Sequence, residues 1–149
     1  MNDVRKGGCQ CGAVRFEVTG PLGQASICHC RMCQKAFGNA FAPLVGVPAA
    51  NVRWTKAEPA RFQSSNLVRR GFCPHCGTPL TYEAPDGLAL AICAFDHPAE
   101  IAPAIQWGVE SRLAWLDRLD DWPRRTSEDD PEALPFLRRL VSYQHPDED

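Results

Sequence analysis

The chain lacks a long uninterrupted apolar stretch. Its longest uncharged segment, which covers residues 36–52, is interrupted by Pro43, Gly46 and Pro48. It is shorter than the roughly 20 apolar residues needed to cross a bilayer, so no membrane-spanning helix is expected. No apolar stretch follows the basic residues near the N-terminus, so we expect no secretory signal and a cytoplasmic location.

An excess of charge of one sign is missing as well. Sixteen Lys and Arg residues and eighteen Asp and Glu residues give a net charge of −2. This balance provides no broad positive surface for a phosphate backbone, so nucleic acid is not an expected partner. A length of 149 residues with 44% apolar residues suits one soluble domain with a modest core, and we expect a single domain over 1–149.

Long helical segments are also scarce, because thirteen prolines and eleven glycines punctuate the chain. The expected fold is therefore mainly β. Segment 13–18 alternates Val14, Phe16 and Val18 with polar residues, which predicts a half-buried strand. Further strands are predicted at 40–47, 52–56, 61–65, 67–73, 79–84, 88–95 and 104–110, with a hairpin over 79–95.

Two segments depart from this β pattern. Residues 29–37 contain no glycine or proline and are predicted to form a short helical turn. A C-terminal helix is predicted over about 131–143, with Asp130 as N-cap, Pro131 at the first helical position and Leu134, Leu137 and Leu140 at helical spacing.

Cysteine is the residue that the chain does have in number. The eight cysteines make up roughly 5% of the chain, which is below the density of a disulfide scaffold. In a reducing compartment, closely spaced cysteines are more often metal ligands than disulfides. The sequence therefore favours a metal-binding protein.

Four of the cysteines form two pairs that can complete one tetrahedral site. Cys9 and Cys11 are two residues apart, so on an extended chain both sulfurs face the same side. Cys73 and Cys76 form a zinc-knuckle motif, in which Gly77 can take a positive φ at the end of the turn. A redox role for this CxxC motif would require a helix after it, whereas 79–84 is predicted as a strand.

Three more cysteines, Cys28, Cys30 and Cys33, lie within six residues and can surround one metal ion from one side. A tetrahedral ion bound by these three sulfurs would have one coordination position left. If a fourth protein ligand fills that position, the site is closed and structural; if it stays open, the site can accept a substrate.

Three residues are candidates for that fourth ligand. Cys93 lies in an apolar run, where core packing is the first expectation and closure of the second metal site is the alternative. His29 alternates with two of the cysteines and is expected to point away from their metal. His97 follows Asp96 in a loop and is expected to be a loop residue without a function.

The order of these motifs resembles the glutathione-dependent formaldehyde-activating enzyme family. The similarity lies in GCQCGAVRF at 8–16, CHCRMCQK at 28–35, FQSS at 62–65 and RGFCPHCGTPL at 70–80. A closing region with FDHP at 95–98 and Trp107, Trp115 and Trp122 extends it, so the resemblance covers about residues 7–125. The predicted helix lies in an extension, 126–149, beyond it.

The resemblance implies a fold of several coiled antiparallel sheets of the β-tent type around a zinc-ribbon-like site. It implies a structural zinc held by Cys9, Cys11, Cys73 and Cys76, and a second, active-site zinc held by Cys28, Cys30 and Cys33. The implied reaction is of the carbon–sulfur lyase type. Glutathione adds to formaldehyde and gives S-hydroxymethylglutathione.

Our mechanistic hypothesis is that a substrate sulfur takes the open position of the second zinc and attacks an aldehyde carbon. Two alternatives remain: a non-catalytic zinc module that binds a protein partner, and a family enzyme that acts on another thiol or aldehyde. Arg31, Lys35, Arg69 and Arg70 are candidates for binding the carboxylates of glutathione. The three tryptophans are candidates for a pocket wall, although packing in the core or at an edge is the first expectation.

Overall fold

Short strands make up most of the structure, a computed structural model that describes residues 3–148. The strands in this part of the chain are β1 Val4–Gly8, β2 Arg15–Thr19, β3 Ala25–Cys28, β4 Ala42–Val47, β5 Val52–Trp54, β6 Ala60–Gln63, β7 Arg69–Phe72, β8 Pro79–Ala84, β9 Gly87–Ala91 and β10 Ile105–Trp107. The helices are α1 Arg31–Phe37 and α2 Leu134–Leu137, with 3-10 turns at Ala49–Asn51, Ile92–Ala94, Pro98–Glu100, Val109–Ser111 and Ala114–Asp121. The predicted mainly β fold is confirmed.

The strands form two sheets. The smaller sheet has the order β1-β2-β5, and the larger has the order β10-β3-β4-β9-β8-β7-β6. The predicted hairpin over 79–95 is present as β8 and β9, which pair antiparallel up to Ala84 and Gly87. The pair formed by β10 and β3 is parallel, which places Cys28, at the end of β3, beside Trp107 from much later in the chain.

The core of the smaller sheet centres on β2. Phe16 and Val18 are buried, as the alternation predicts, and the Phe16 ring makes edge contacts with Trp54 and Phe95 at centroid distances of 5.8 and 5.1 Å. Arg15, on the face predicted to be polar, is nonetheless only 3% exposed. It is buried because Asp96 accepts two hydrogen bonds from its guanidinium, at 2.8 and 2.7 Å.

Two strands, β1 and β3, were not predicted. The sequence of β1, VRKGG, has no alternating apolar pattern, and it pairs along its length with β2 from Val4 to Gly8. Gly7 permits this because a Cβ atom there would lie 2.4 Å from the Phe16 ring. The strand is therefore specified by backbone pairing and close approach rather than by side-chain periodicity.

The predicted helical turn over 29–37 is confirmed as α1. Its N-cap is Cys30, whose sulfur accepts a hydrogen bond from the Cys33 N–H. Gly38 ends the helix in the left-handed conformation, with φ of 55°. The N-terminal end of the helix is thus built from the same cysteines that the sequence proposes as metal ligands.

The chain divides into two compact units. One comprises the residues up to Arg112 together with those from Gln144 onward, and the other is Leu113–Tyr143. Within the second unit, Trp115 and Trp122 stack on each other with ring centroids 5.8 Å apart. They are 45% and 46% exposed, so of the two expected placements they take the edge rather than the core.

The C-terminal helix is present, but it spans four residues, Leu134–Leu137, instead of about 131–143. The Asp130 carboxylate does accept hydrogen bonds from the N–H groups of Glu132 and Ala133, as an N-cap does. Pro135, however, has no N–H to continue the hydrogen-bond ladder back to residue 131, which interrupts the predicted helix. Among the described residues, no helix is long and apolar enough to cross a membrane.

Candidate metal centres

The first cysteine pair lies in a tight turn that follows β1. The N–H of Gly12 donates to the Cys9 carbonyl at 3.0 Å, and Gly12 adopts a φ of +77°. The predicted extended conformation of this CxC motif is therefore wrong. The bend still places the sulfurs of Cys9 and Cys11 3.6 Å apart.

The second pair forms the predicted knuckle. The N–H of Gly77 donates to the Cys73 carbonyl at 2.9 Å, and the Cys73 N–H donates to the Thr78 carbonyl at 3.0 Å. Gly77 has a φ of +79°, and a Cβ atom there would meet no other atom within 4 Å. The turn therefore depends on the backbone freedom of glycine rather than on a close contact.

The four sulfurs of these pairs converge. The sulfurs of Cys9, Cys11, Cys73 and Cys76 all lie within 4.8 Å of one another, and those of Cys11 and Cys73 are 3.8 Å apart. Thiolates bound to a tetrahedral zinc ion at about 2.3 Å are separated by about 3.8 Å. Four soft donors at this spacing fit a closed tetrahedral metal site, which we call the four-cysteine site.

The thiols of the four-cysteine site differ in their tendency to ionise. Burial raises the pKa of Cys73 to about 12. Burial also opposes ionisation of Cys76, but hydrogen bonding from Thr78 outweighs it and lowers the pKa of the Cys76 thiol to about 6. A metal ion that binds all four must displace the protons of the resistant thiols, so binding and proton release are coupled.

The second cluster forms where β3 passes into α1. The sulfurs of Cys28, Cys30 and Cys33 lie within 4.8 Å of one another, and we call this group the three-cysteine site. Burial acts against ionisation of Cys30, but hydrogen bonds led by the Cys33 N–H lower its pKa. Three soft donors fit a tetrahedral zinc ion whose fourth coordination position is left for another ligand.

Arg70 on β7 reaches the three-cysteine site from the large sheet. Its Nη2 donates to the Cys33 sulfur at 3.4 Å, and its Nε donates to the Ser64 hydroxyl at 2.9 Å. The guanidinium lies 5.1 Å from the centre of the Tyr82 ring. Arg70 is 7% exposed, and its Nη1 has no hydrogen-bond partner within the described part of the chain.

Burial raises the pKa of the Cys33 thiol to about 12, although the Arg70 guanidinium acts in the opposite direction. Burial also raises the pKa of Cys28. The protein alone therefore leaves two of the three thiols protonated. A divalent cation with Arg70 beside it supplies the positive charge that thiolates at this site require.

The candidate fourth ligands lie elsewhere. His29 is buried, and its Nε2 lies 2.8 Å from the Gln106 side-chain oxygen, so it points away from the cluster as expected. Cys93 is exposed and belongs to neither cysteine group among the described residues. Its expected core packing is wrong because β9 ends at Ala91, and the 3-10 turn that follows buries Ile92 and Ala94 instead. His97 is exposed and joins neither group.

A cavity of about 380 Å³ opens beside the three-cysteine site. Its lining combines all three cysteines with residues from six strands, the segments before β3 and β7, and helix α1: Gln24, Ser26, Cys28, Cys30, Met32, Cys33, Leu44, Gly46, Ser64, Ser65, Val68, Arg70, Tyr82, Ala89 and Trp107. Of the basic candidates from the sequence, Arg70 alone is among these lining residues. Arg69 instead forms an ion pair with Glu83 at 3.1 Å, and Arg31 donates a hydrogen bond to the side-chain oxygen of Gln34.

Sequence reasoning did not single out three residues that support this site. Ser64 holds Arg70, Tyr82 lies under its guanidinium, and Gln34 donates from its side-chain nitrogen to the carbonyls of His29 and Ser111 at 2.9 and 3.0 Å. Ser64 lies within the FQSS motif that carries part of the family resemblance. Gln34 lies within the CHCRMCQK motif of the same resemblance, whereas Tyr82 had no signal in the sequence, because its contact with Arg70 depends on the pairing of two strands.

Comparison with known proteins identifies the family. The family model described as glutathione-dependent formaldehyde-activating enzyme matches residues 4–111. The chain belongs to this family. The matched range contains both cysteine sites of this glutathione-dependent formaldehyde-activating family member, whereas Trp115 and Trp122 fall outside it.

A solved structure has a similar fold. A crystal structure of a Rhodobacter sphaeroides protein, determined as a structural-genomics target, aligns with a TM-score of 0.53 at 21% identity. The alignment covers 68% of this chain and 98% of that protein. No curated protein sequence matches the chain.

Proposed function

We propose that this family member is a zinc-dependent enzyme of the carbon–sulfur lyase type that forms or cleaves an adduct between a thiol and an aldehyde. The family's example is the addition of glutathione to formaldehyde to give S-hydroxymethylglutathione. The observation that carries the proposal is the three-cysteine site, whose sulfurs line a cavity of about 380 Å³ together with a buried arginine.

The residues present suit two zinc ions with different roles. Cys9, Cys11, Cys73 and Cys76 would hold a structural ion in a closed site, and the three-cysteine site would hold the second ion. Bound there, zinc would keep a substrate thiol in its reactive thiolate form. The reducing cytoplasm, which we propose as the location, would keep the eight cysteines available as thiols.

Arg70 is suited to bind the oxygen of the aldehyde. It lines the cavity, and its Nη2 donates to the Cys33 sulfur at 3.4 Å, so its guanidinium can donate a hydrogen bond to a ligand atom that lies close to the sulfurs. When the thiolate attacks, its electron pair forms the C–S bond, and the C=O π pair moves to the oxygen. The guanidinium stabilises that negative charge until a proton from water completes the hydroxyl group.

The non-catalytic alternative is less well supported. In a purely structural module, the three-cysteine site would be closed by a fourth protein ligand or sealed from solvent. Instead, no fourth cysteine, histidine or carboxylate of the described residues joins the group. The space next to it is a cavity of the size that small ligands occupy.

The test measures whether the protein accelerates adduct exchange. Exchange NMR on a mixture of a thiol and formaldehyde gives the interconversion rate with and without protein, and zinc content is measured in parallel. We expect acceleration by the wild type with two zinc ions per chain, and loss of both the acceleration and one zinc ion in Cys28→Ser. The matched control is Cys93→Ser, which changes an exposed cysteine outside both sites. Wild-type exchange at the spontaneous rate would contradict the proposal.

A further inference from the structure

We infer that the substrate group that enters the cavity is apolar and uncharged, so that the preferred thiol or aldehyde carries an alkyl or aryl group rather than the charged peptide of glutathione. The inference rests on the proposed thiol–aldehyde chemistry and names the substrate class for it. It follows from the lining of the cavity, which has one charged side chain and an apolar wall.

The single charge is already committed to the reacting end of the cavity. Arg70 is the one Lys, Arg, Asp, Glu or His side chain among the residues that line the cavity. Its guanidinium donates to the sulfur of Cys33 and to Ser64 and lies over Tyr82. Because these contacts hold the guanidinium beside the sulfurs, it can bind an oxygen there but cannot also bind a distant carboxylate.

Glutathione would need more partners than the cavity offers. At neutral pH it carries two carboxylates and one ammonium group. A charged group that leaves water without an opposite charge or several hydrogen bonds loses solvation that nothing replaces, so its transfer is strongly unfavourable. No carboxylate lines the cavity to receive the ammonium group. The charged ends of glutathione would therefore have to remain outside it.

The hydroxyl groups along the rim are also engaged within the protein. The Ser64 oxygen accepts the Arg70 Nε–H, and the Ser65 oxygen accepts the N–H groups of Leu67 and Val68 at 3.2 and 3.1 Å. These serines thus hold the loop before β7 in place. Their acceptor capacity is partly used before any ligand arrives.

Apart from Gln24, Ser26 and Tyr82, the remaining wall is apolar and open to contact. Met32 and Trp107 are 56% and 53% exposed although both line the cavity, and Leu44, Val68 and Ala89 continue the surface inside. Large apolar side chains that remain exposed around a concave site are typical of ligand-binding surfaces. An alkyl or aryl group in this space would cover side chains that water otherwise contacts.

The test is a homologous series of thiols that differ only in apolar length. Calorimetry of the zinc-loaded protein would measure the dissociation constants of 2-mercaptoethanol, 3-mercaptopropanol, 4-mercaptobutanol, 6-mercaptohexanol and glutathione. Each methylene buried in the cavity should tighten binding by about fourfold, and the hexanol should bind at least about tenfold more tightly than glutathione. Equal binding along the series, or tighter binding of glutathione, would overturn the inference.

Two wall variants and one control assign the effect to the cavity. Met32→Gln and Trp107→Gln should reduce the gain in binding affinity per methylene, while the zinc content stays at the wild-type value. Val4→Gln replaces an exposed apolar residue on β1 in the smaller sheet. It should leave the dissociation constants of all the thiols in the series unchanged. If Cys28→Ser binds every thiol as the wild type does, the proposed chemistry itself fails. A flat series that still depends on Cys28 contradicts only the apolar substrate class.

Discussion

The Nη2 of Arg70 lies 3.4 Å from the sulfur of Cys33, so strand β7 and helix α1 meet at one sulfur atom. The two residues are 37 positions apart in the chain. Three thiolates and a divalent cation together carry a charge near −1, and the guanidinium offsets it. Because Arg70 is 7% exposed, this pairing is little screened by solvent.

Replacing Arg70 should lower the rate of adduct exchange far more than it lowers zinc content. Arg70→Met keeps an unbranched side chain over Tyr82 but removes the donors, and we expect a loss of about 10²–10³-fold in rate, as for an oxyanion donor. Arg70→Lys keeps the charge without the planar fork and should recover part of the loss. Exchange NMR and zinc analysis measure the two effects separately.

The matched control is the neighbouring arginine. Arg69 is exposed and pairs with Glu83 at 3.1 Å on the other face of β7. Arg69→Met should therefore change the exchange rate less than about twofold, since exposed ion pairs contribute little. A zinc-replete Arg70→Met protein that works at the wild-type rate would exclude the guanidinium from the chemistry.

The features that the sequence predicts correctly are those whose cause is local. The CPHCG knuckle, the turn at 29–37 and the β8–β9 hairpin each follow from residues within a few positions of one another. Proline and glycine frequency similarly predicts short strands rather than long helices. The grouping of the cysteines into four and three then depends on their spacing and on family resemblance.

The features that sequence reasoning missed depend on distant partners. Arg15 occupies a polar position in the strand pattern, yet it is buried because Asp96, 81 residues later, pairs with it. Cys93 lies in an apolar run but becomes exposed where β9 ends and a 3-10 turn begins. The extent of α2 is a different case, because its cause is local: Pro135 lies inside the predicted helix and has no N–H to donate to the hydrogen-bond ladder.

The two metal sites should differ in what they contribute to stability. The four-cysteine site joins segments 62 residues apart, so its metal closes a long loop, whereas the three-cysteine site spans six residues. Titration with a chromogenic chelator should therefore remove one zinc ion with the circular dichroism spectrum unchanged. Removal of the second ion should unfold the protein or lower its melting temperature sharply.

Serine variants give the same comparison without a chelator. Cys11→Ser should lower the free energy of unfolding by several kcal/mol, because metal binding at this site is coupled to folding. Cys28→Ser should lower it by less than about 1 kcal/mol. Urea denaturation measures both values, and a larger loss for Cys28→Ser would contradict the assignment of the four-cysteine site as the structural one.

Gly108 should control the position of Cys30. It adopts a φ of +63°, and a Cβ atom there would lie 2.8 Å from the backbone nitrogen of Cys30. Gly108→Ala would therefore push against the N-terminal end of α1, and we expect weaker zinc binding at the three-cysteine site, by at least about tenfold. Competition with a fluorescent zinc indicator measures this affinity.

The control for Gly108 is the glycine at the other end of α1. Gly38 also has a positive φ, of +55°, but a Cβ atom there would meet nothing within 4 Å. Gly38→Ala should cost only the backbone strain of about 1–2 kcal/mol in stability and leave zinc affinity unchanged. Equal loss of zinc in both variants would mean that backbone strain, and not the contact with Cys30, determines the effect.

The buried pair of Arg15 and Asp96 should be the most sensitive position in the core of the smaller sheet. Their side chains are 4% and 7% exposed, so Asp96→Asn would remove a buried negative charge that accepts two hydrogen bonds from the guanidinium. We expect a loss of about 3–5 kcal/mol in the free energy of unfolding, measured by urea denaturation. The control is Asp86→Asn in the exposed β8–β9 turn, which should change this free energy by less than about 0.5 kcal/mol. The double variant Arg15→Met/Asp96→Leu removes both charges and should recover part of the loss, because burying two charges costs solvation energy that an apolar pair does not require. A double variant less stable than Asp96→Asn would show that the hydrogen bonds of Arg15, and not the loss of the Asp96 charge, determine the cost.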